Sequence, residues 1–364
     1  MAGGSRTASV RLSVAMMHHP RRAGRLPAVL ASFEPLRPRV VPDPDPLGPP
    51  SPLRTAKRAW AEIEDGATHH LVLQDDAVPT PDFARHLHEA VTALPAHGIA
   101  MYSHWDSPHN SYLTRRAAVA DRAYAPLSST EWTPTQGFVL PVDLARRLAA
   151  FLADMPDEAQ DDDEMVVIFC REQGIPVVAT VPHLLDHGHE TTIVGHHGRL
   201  HATVHTPGMP IRDGHWRRRE GLEPGPYTVE LLDSLCAVRI VHGEPVEHRY
   251  GWYWYDACSS IGPDPEEVLD RAEPWLSAVP SDQVPVAVEV WAAGYLLGAD
   301  VAHASALAPP PTCGGPLTRP AVSSWVESGL AEPDRTAFAL DPLIDLGVAA
   351  VRCALAAHGG AHVR

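Results

Sequence analysis

The stretch from His69 to Phe83, HHLVLQDDAVPTPDF, limits the possible folds of this chain more than any other segment. Its apolar run, Leu71 to Leu73, stops at Gln74-Asp75-Asp76, and Pro79 and Pro81 forbid a strand from continuing beyond it. A short, wholly apolar run closed by breakers is the pattern of a buried parallel strand. Open α/β sheets bind ligands at the carboxyl ends of such strands, which is where the two carboxylates fall. Adjacent carboxylates repel, so a fold that keeps them side by side sets a cation or several donors between them. A divalent metal holding a substrate diphosphate supplies that charge. A plain strand-to-loop junction whose aspartates cap the next helix fits the same letters.

Alternation continues on both sides of this segment. Val10 to Met16 reads as a first strand, followed by a polar loop from His18 to Gly24 and a helix from about Leu26 to Phe33. Arg39 to Val41 is a short strand, and Ser51-Pro52 is an N-cap with proline at the first helical position, opening a helix through Trp60. A helix near Asp82 to Leu94, a strand near Ile99 to Ser103, a strand Gly137 to Leu140 and a helix through about Leu152 follow. Asp162 to Gln173 reads as a helix stopped at Gly174, and Pro176 to Val181 as the next strand. Such alternation predicts an α/β fold with a mostly parallel sheet flanked by helices. His183 to His205, rich in Gly and His, reads as an extended loop, and Arg217 to Pro226 as a boundary. Beyond it, helical patterns over Asp264 to Leu276, Val284 to Leu297 and Leu340 to Ala357 predict a mainly helical second domain. The expected division is thus residues 8–215 and 221–364.

Composition narrows the function. A net charge of −16 argues against nucleic acid, which requires a dense basic face. No apolar run approaches the roughly 20 residues of a membrane span. Five cysteines without CxxC spacing argue for reduced thiols and a cytoplasmic setting, and against a disulfide frame or zinc knot.

Four segments carry candidate chemistry. Asp43 and Asp45 lie beyond the second strand, where a nucleotide base and ribose fit, and the following helix brings Arg54 and Lys57 along one face. Those two also read as an ordinary solvated basic face. Gln74-Asp75-Asp76 is the second segment. The third, Trp132-Thr133-Pro134-Thr135-Gln136, is an aromatic, hydroxyl-rich loop suited to a sugar face, with Trp132 and Gln136 as acceptor contacts, or to plain packing. The fourth is Asp161-Asp162-Asp163-Glu164 at a helix start. The macrodipole favours one or two acidic residues there, and the run exceeds what a cap needs, so one of them is a candidate general base. After the next strand, PHLLDHGHE offers a histidine to complete a metal site, since imidazole and carboxylate together suit manganese.

The order of these segments, over about residues 8 to 200, resembles the GT-A glycosyltransferases, which move a sugar from a nucleotide-sugar donor. LVLQDDAVPTPDF looks like their strand ending in the aspartate motif, commonly D-x-D, with Gln74 in place of the first acidic residue. The resemblance implies a GT-A-like, Rossmann-like sheet and a divalent metal, Mn2+ or Mg2+, on Asp76 and His187. It implies donor contacts from Asp43, Arg54, Lys57, Gln74 and Asp75. Counting back from Gly174 places the family's acidic pair on Asp162-Asp163, with Asp163 as base of an inverting transfer and retention left open. A hexosyl- or pentosyltransferase with an unidentified acceptor is the expectation. A metal-dependent nucleotidyl transferase or hydrolase using the same acidic pair is the alternative, as is a non-catalytic nucleotide-sugar-binding protein. Residues 221–364 resemble no family, and their aromatic stretch Tyr250 to Tyr255 suits either an acceptor platform or internal packing.

Overall fold

The computed structural model describes residues 9–156, 161–188, 200–241, 251–304 and 314–359. Gln160, the part of the Gly/His-rich loop from 189 to 199, Tyr250 and Cys313 lie outside the described residues. In chain order the elements begin with β1 (Leu12–His18), α1 (Leu26–Ser32), β2 (Arg39–Pro42), α2 (Pro52–Ala61), β3 (His69–Gln74), β4 (Ala77–Pro79), α3 (Phe83–Ala93) and β5 (Gly98–Ala100). There follow α4 (Asn110–Val119), β6 (Tyr124–Pro126), β7 (Gly137–Pro141), α5 (Val142–Ala153), α6 (Asp162–Glu172), β8 (Val177–Thr180) and β9 (Leu185–His187). Next come β10 (Tyr227–Leu232), β11 (Leu235–Ile240), β12 (Trp252–Tyr253), α7 (Trp254–Ala257) and α8 (Pro265–Leu276). The chain closes with α9 (Val284–Ala304), α10 (Thr318–Gly329), α11 (Glu332–Ala337) and α12 (Leu340–His358). The fold is α/β, with a mostly parallel central sheet flanked by helices and a helical C-terminal region.

The chain forms two compact units. The first comprises the spans Met1–Met101, Trp132–Val177 and Leu184–Arg199; the second comprises Tyr102–Glu131, Val178–His183 and Leu200–Arg364. These spans interleave, whereas sequence texture suggested one boundary between 215 and 221. Composition registers a change of texture along the chain, but strand pairing recruits segments far apart in sequence.

In the first unit the strands lie in the order β2-β1-β3-β7-β5. β1 pairs in parallel with β2 and β3, while β7 is antiparallel to both β3 and β5, so four of the five strands share a direction. β1 is buried from Ser13 to His18 and β3 from His69 to Leu73, as strands covered on both faces must be. β3 starts two residues before its apolar run because His70 is satisfied inside: Nδ1 meets Ser13 Oγ at 3.0 Å and Nε2 meets the Ala59 carbonyl at 2.9 Å. Burial pushes its pKa down, which keeps it neutral and apolar enough for the core. Ser51 accepts the Arg54 N–H and caps α2, whose Leu53, Ala56, Ala59 and Trp60 are buried. β4 and β9 form a separate antiparallel pair, Ala77 opposite His187.

In the second unit β6 and β8 are antiparallel, and β10, β11 and β12 form a three-stranded antiparallel sheet ahead of the helices. The β10–β11 hairpin turns through Asp233 and Ser234, both left-handed (φ 49° and 64°), a primed turn made without glycine. α9 and α12 pack closely, and a Cβ on Gly294 would lie 2.5 Å from the Gly347 carbonyl oxygen. By length and composition α9 is a candidate membrane span, and 83% of that window is buried within the fold. Of the aromatic stretch, Trp254 is buried while Trp252, at 63% exposure, faces solvent. Cys170, Cys236, Cys258 and Cys353 are free.

Candidate functional site

β1 has β2 on one side and β3 on the other, so the carboxyl ends of β1 and β3 flank a point where the chain's direction of winding changes. Open sheets bind ligands at such points. The last residue of β1, His18, places Nδ1 2.7 Å from Asp75 Oδ2, and the His19 N–H donates to the same oxygen at 3.0 Å. The 3-10 turn Pro20–Arg22 then returns Arg22 to the acidic pair. Its Nη1 lies 2.7 Å from Asp75 Oδ1 and 2.6 Å from Asp76 Oδ2. Burial opposes the Arg22 charge, and the two carboxylates more than reverse that, raising its pKa. Both aspartates are buried.

The third expected segment arrives beside them. Gln136 Nε2 donates to Asp76 Oδ1 at 2.6 Å, and its carbonyl accepts the Gln74 N–H at 3.2 Å. The Gln74 side chain turns to Thr135 Oγ1 at 3.2 Å. Thr135 is also hydrogen-bonded to Asp162, which opens α6 and is buried, with its Oδ2 unpartnered among the described residues. A chain of contacts therefore links the end of β3 to the start of α6. Asp163 is half-buried; its Oδ1 takes the Glu164 N–H at 2.8 Å, and its carbonyl takes the Thr133 N–H at 3.3 Å. Burial pushes both carboxyls of this pair up, and repulsion by Asp162 adds to the rise at Asp163. Two neighbouring carboxyls, one buried and one half-buried, resist ionising together, which makes the pair a stronger proton acceptor than a free aspartate.

β9 supplies the histidine segment. The Gly188 N–H donates to the Asp76 carbonyl at 2.7 Å, and a Cβ on Gly188 would stand 3.1 Å from that oxygen, so glycine permits the approach. His187 Nδ1 lies 2.7 Å from the Gly188 carbonyl, so it is the protonated nitrogen there, and Nε2 faces Asp76 Oδ2 at 3.4 Å. Two acceptor lone pairs facing each other require a cation between them or a second proton on the ring. The donor set, one carboxylate and one imidazole, suits manganese. Among the described residues no three His, Cys, Asp or Glu side chains converge into a ready-made metal cluster.

Asp43 is close by. His18 carbonyl accepts its N–H at 2.9 Å, and its carboxylate takes Arg54 Nε at 2.9 Å and Nη2 at 3.0 Å. Burial works to raise Asp43, but the Arg54 fork and the Asp45 N–H outweigh it and hold the carboxyl below its ordinary value. Arg54 and Lys57 diverge: Lys57 Nζ reaches the Met155 carbonyl at 2.6 Å. Trp132 is half-buried and adjoins Thr133 at the Asp163 backbone. The structure thus brings Gln74, Asp75, Asp76, Gln136, Asp162, Asp163 and His187 into one network, while the Lys57 ammonium reaches the Met155 carbonyl. Sequence reasoning missed His18, His19 and Arg22. The available signal was the tandem histidine and tandem arginine around Pro20, directly after a buried strand.

No protein-family model matches the chain, and no curated protein is significantly similar to it.

Proposed function

We propose that the first unit is a metal-dependent glycosyltransferase domain of GT-A type, moving a sugar from a nucleotide-diphosphate donor to an acceptor hydroxyl. One observation carries this reading: four segments spread from residue 74 to residue 188 are joined in one chain of contacts, Gln136, His187 and Gly188 meeting Asp76 at the end of β3 and Thr135 extending the chain to Asp162. A chain that needed only caps and a packed sheet has no reason to gather two carboxylates, an imidazole, two glutamine amides and a raised aspartate pair there. Asp76 and His187 would hold the divalent ion. Magnesium-like sites take one or two protein ligands and complete their shell with substrate phosphates, so a two-residue set fits. When bound, that ion stabilises the charge developing on the departing diphosphate.

The chain's own residues do the remaining work. Gln136 and His18 fix the rotamers of Asp76 and Asp75 by hydrogen bonds of 2.6 and 2.7 Å. Thr135 and Gln74 tie Asp162 to that frame. Asp163, half-buried and raised by burial and by Asp162, removes the acceptor proton as the hydroxyl oxygen attacks the anomeric carbon. Attack opposite the leaving diphosphate inverts the anomeric centre. Asp43 and Arg54, paired beyond β2, face the donor's nucleoside end.

The test is product analysis with a panel of nucleotide-sugars, each with manganese and with chelator. Metal-dependent release of nucleoside diphosphate with a glycosylated acceptor is expected. Release of nucleoside monophosphate and pyrophosphate would replace this reading with nucleotidyl transfer. Donor binding without turnover would replace it with a binding protein.

A further inference from the structure

We propose that Arg22 is a built-in competitor of the divalent cation, holding the acidic pair until a cation displaces it; this rests on the metal-dependent reading of the same site. The oxygen that faces His187 Nε2 at 3.4 Å, Asp76 Oδ2, is the one that accepts Arg22 Nη1 at 2.6 Å. A divalent ion bound there and a guanidinium on the same oxygen repel each other, and both cannot keep their positions. Two of the other oxygens of the pair already have donors of their own. Asp76 Oδ1 is bound by Gln136, and Asp75 Oδ2 by His18 and the His19 N–H. Releasing Arg22 is therefore the move that frees carboxylate oxygen for a cation.

Arg22 is also the partner most easily released. His18 ends a buried strand, and Gln136 adjoins β7, whose residues Gly137 to Leu140 are buried. Arg22 closes a three-residue 3-10 turn with no buried residue, and Pro20, Arg21, Ala23, Gly24 and Arg25 around it are exposed. Swinging this turn outward disrupts no core packing. A cation that binds only the displaced form has its apparent affinity reduced by the fraction of the protein in that form. Arg22 thus sets the cation concentration at which the site loads.

The experiment measures Mn2+ binding to the full chain directly, without donor or acceptor, from the electron paramagnetic resonance signal of free Mn2+. Arg22→Gln is expected to bind Mn2+ roughly tenfold more tightly or better, as removal of a competing state predicts. Arg22→Lys, which keeps the charge but puts a more strongly hydrated, more flexible ammonium in place of Nη1, should fall between Arg22→Gln and wild type. Arg21→Gln makes the same charge change one residue away on an exposed side chain and should stay within about twofold of wild type, since exposed charges are screened. Asp76→Asn should lose binding. Unchanged or weaker Mn2+ affinity in a folded Arg22→Gln overturns the proposal, as does an equal gain in Arg21→Gln. If Arg22→Gln does not fold, Arg22→Lys decides alone: affinity no tighter than wild type overturns the proposal. Absence of Mn2+ binding in every variant removes both the competitor and the metal-dependent reading. Tighter binding in Arg22→Gln without turnover of any nucleotide-sugar leaves the competitor standing and removes glycosyl transfer.

Discussion

Each compact unit contains an arginine clamped to buried aspartate, and the two clamps differ in what is left over. In the second unit Arg116 Nε lies 2.6 Å from Asp300 Oδ2 and Nη2 3.1 Å from Oδ1. Tyr112 and Tyr227 hydroxyls donate to the two oxygens at 2.7 and 3.1 Å, and Arg116 Nη1 goes on to the Glu223 carbonyl. Both charged side chains are almost wholly buried, and each carboxylate oxygen accepts a tyrosine hydroxyl in addition to its arginine contact. In the first unit Arg22 keeps 14% exposure on a turn with no buried residue, and Asp76 Oδ2 also faces His187 Nε2 at 3.4 Å. Saturated clamps hold a fold together. A clamp with surplus acceptor capacity and a way out is equipped to exchange partners. The residue types are the same in both, so chemistry by composition does not tell the two apart.

Substitutions that separate activity from stability put this contrast at risk. The largest expected effect is at Asp163. Asp163→Asn should lower transfer by roughly 10²–10⁴-fold, the usual contribution of a general base, with donor affinity within a few-fold of wild type. Asparagine keeps a side-chain oxygen that can take the Glu164 N–H, so a merely structural aspartate would tolerate it. Retained turnover in the folded variant would move the base to Asp162. Next comes Arg116→Ala, which leaves Asp300 buried and unpaired. Breaking such a pair costs about 3–5 kcal/mol. Denaturant unfolding should show that loss, and Mn2+ binding to the folded fraction should stay as in wild type. A small loss there would erase the distinction between the two clamps.

A third expectation concerns pH. Glu131 accepts the N–H groups of His109 and Asn110 at the start of α4, and burial raises its carboxyl to about 8, those N–H bonds opposing the rise. A carboxyl raised above its unfolded value stabilises the fold fully below about 4.5 and loses that contribution as pH rises through about 8. The slope cannot exceed about 1.4 kcal/mol per pH unit. Glu131→Gln should flatten the stability profile over that window, and an unchanged profile would show that the helix start keeps Glu131 ionised. The smallest effect is expected at Trp252. At 63% exposure, Trp252→Ala should shift stability by no more than about 0.5 kcal/mol. Its melting temperature and its use of acceptor then separate an exposed platform from unrelated surface.

What the sequence disclosed followed from local rules. The Ser51-Pro52 start of α2 appears where the letters put it, and so does the end of β3 at Gln74. Local signals suffice when one residue's backbone preference decides the outcome. β3 reaches back over His69 and His70 because Ser13 and the Ala59 and Pro95 carbonyls satisfy those rings. A histidine looks polar until its partners are known. The β10–β11 turn was hidden for a related reason: Asp233-Ser234 takes left-handed backbone angles that Asn-Gly or Asp-Gly would have announced. In the site, the acidic pair, the Thr135-Gln136 loop and His187 were readable as separate motifs. Arg22 was not, because a charged residue in a polar loop carries no local sign of its target.

The contact between Gly188 and Asp76 has a consequence for how the protein is made. Roughly 110 residues separate the two, and translation proceeds at about 5–20 residues per second. For about 6–20 seconds the nascent chain therefore exposes its acidic strand end without the histidine segment that completes it. Arg22, emerging ahead of Asp75 and Asp76, is available through that interval as their counter-charge. β9, the last of these segments to be synthesised, adds His187 beside an acidic pair that Arg22 contacts in the finished fold, and on the proposed reading that histidine is what a cation would need next to Asp76.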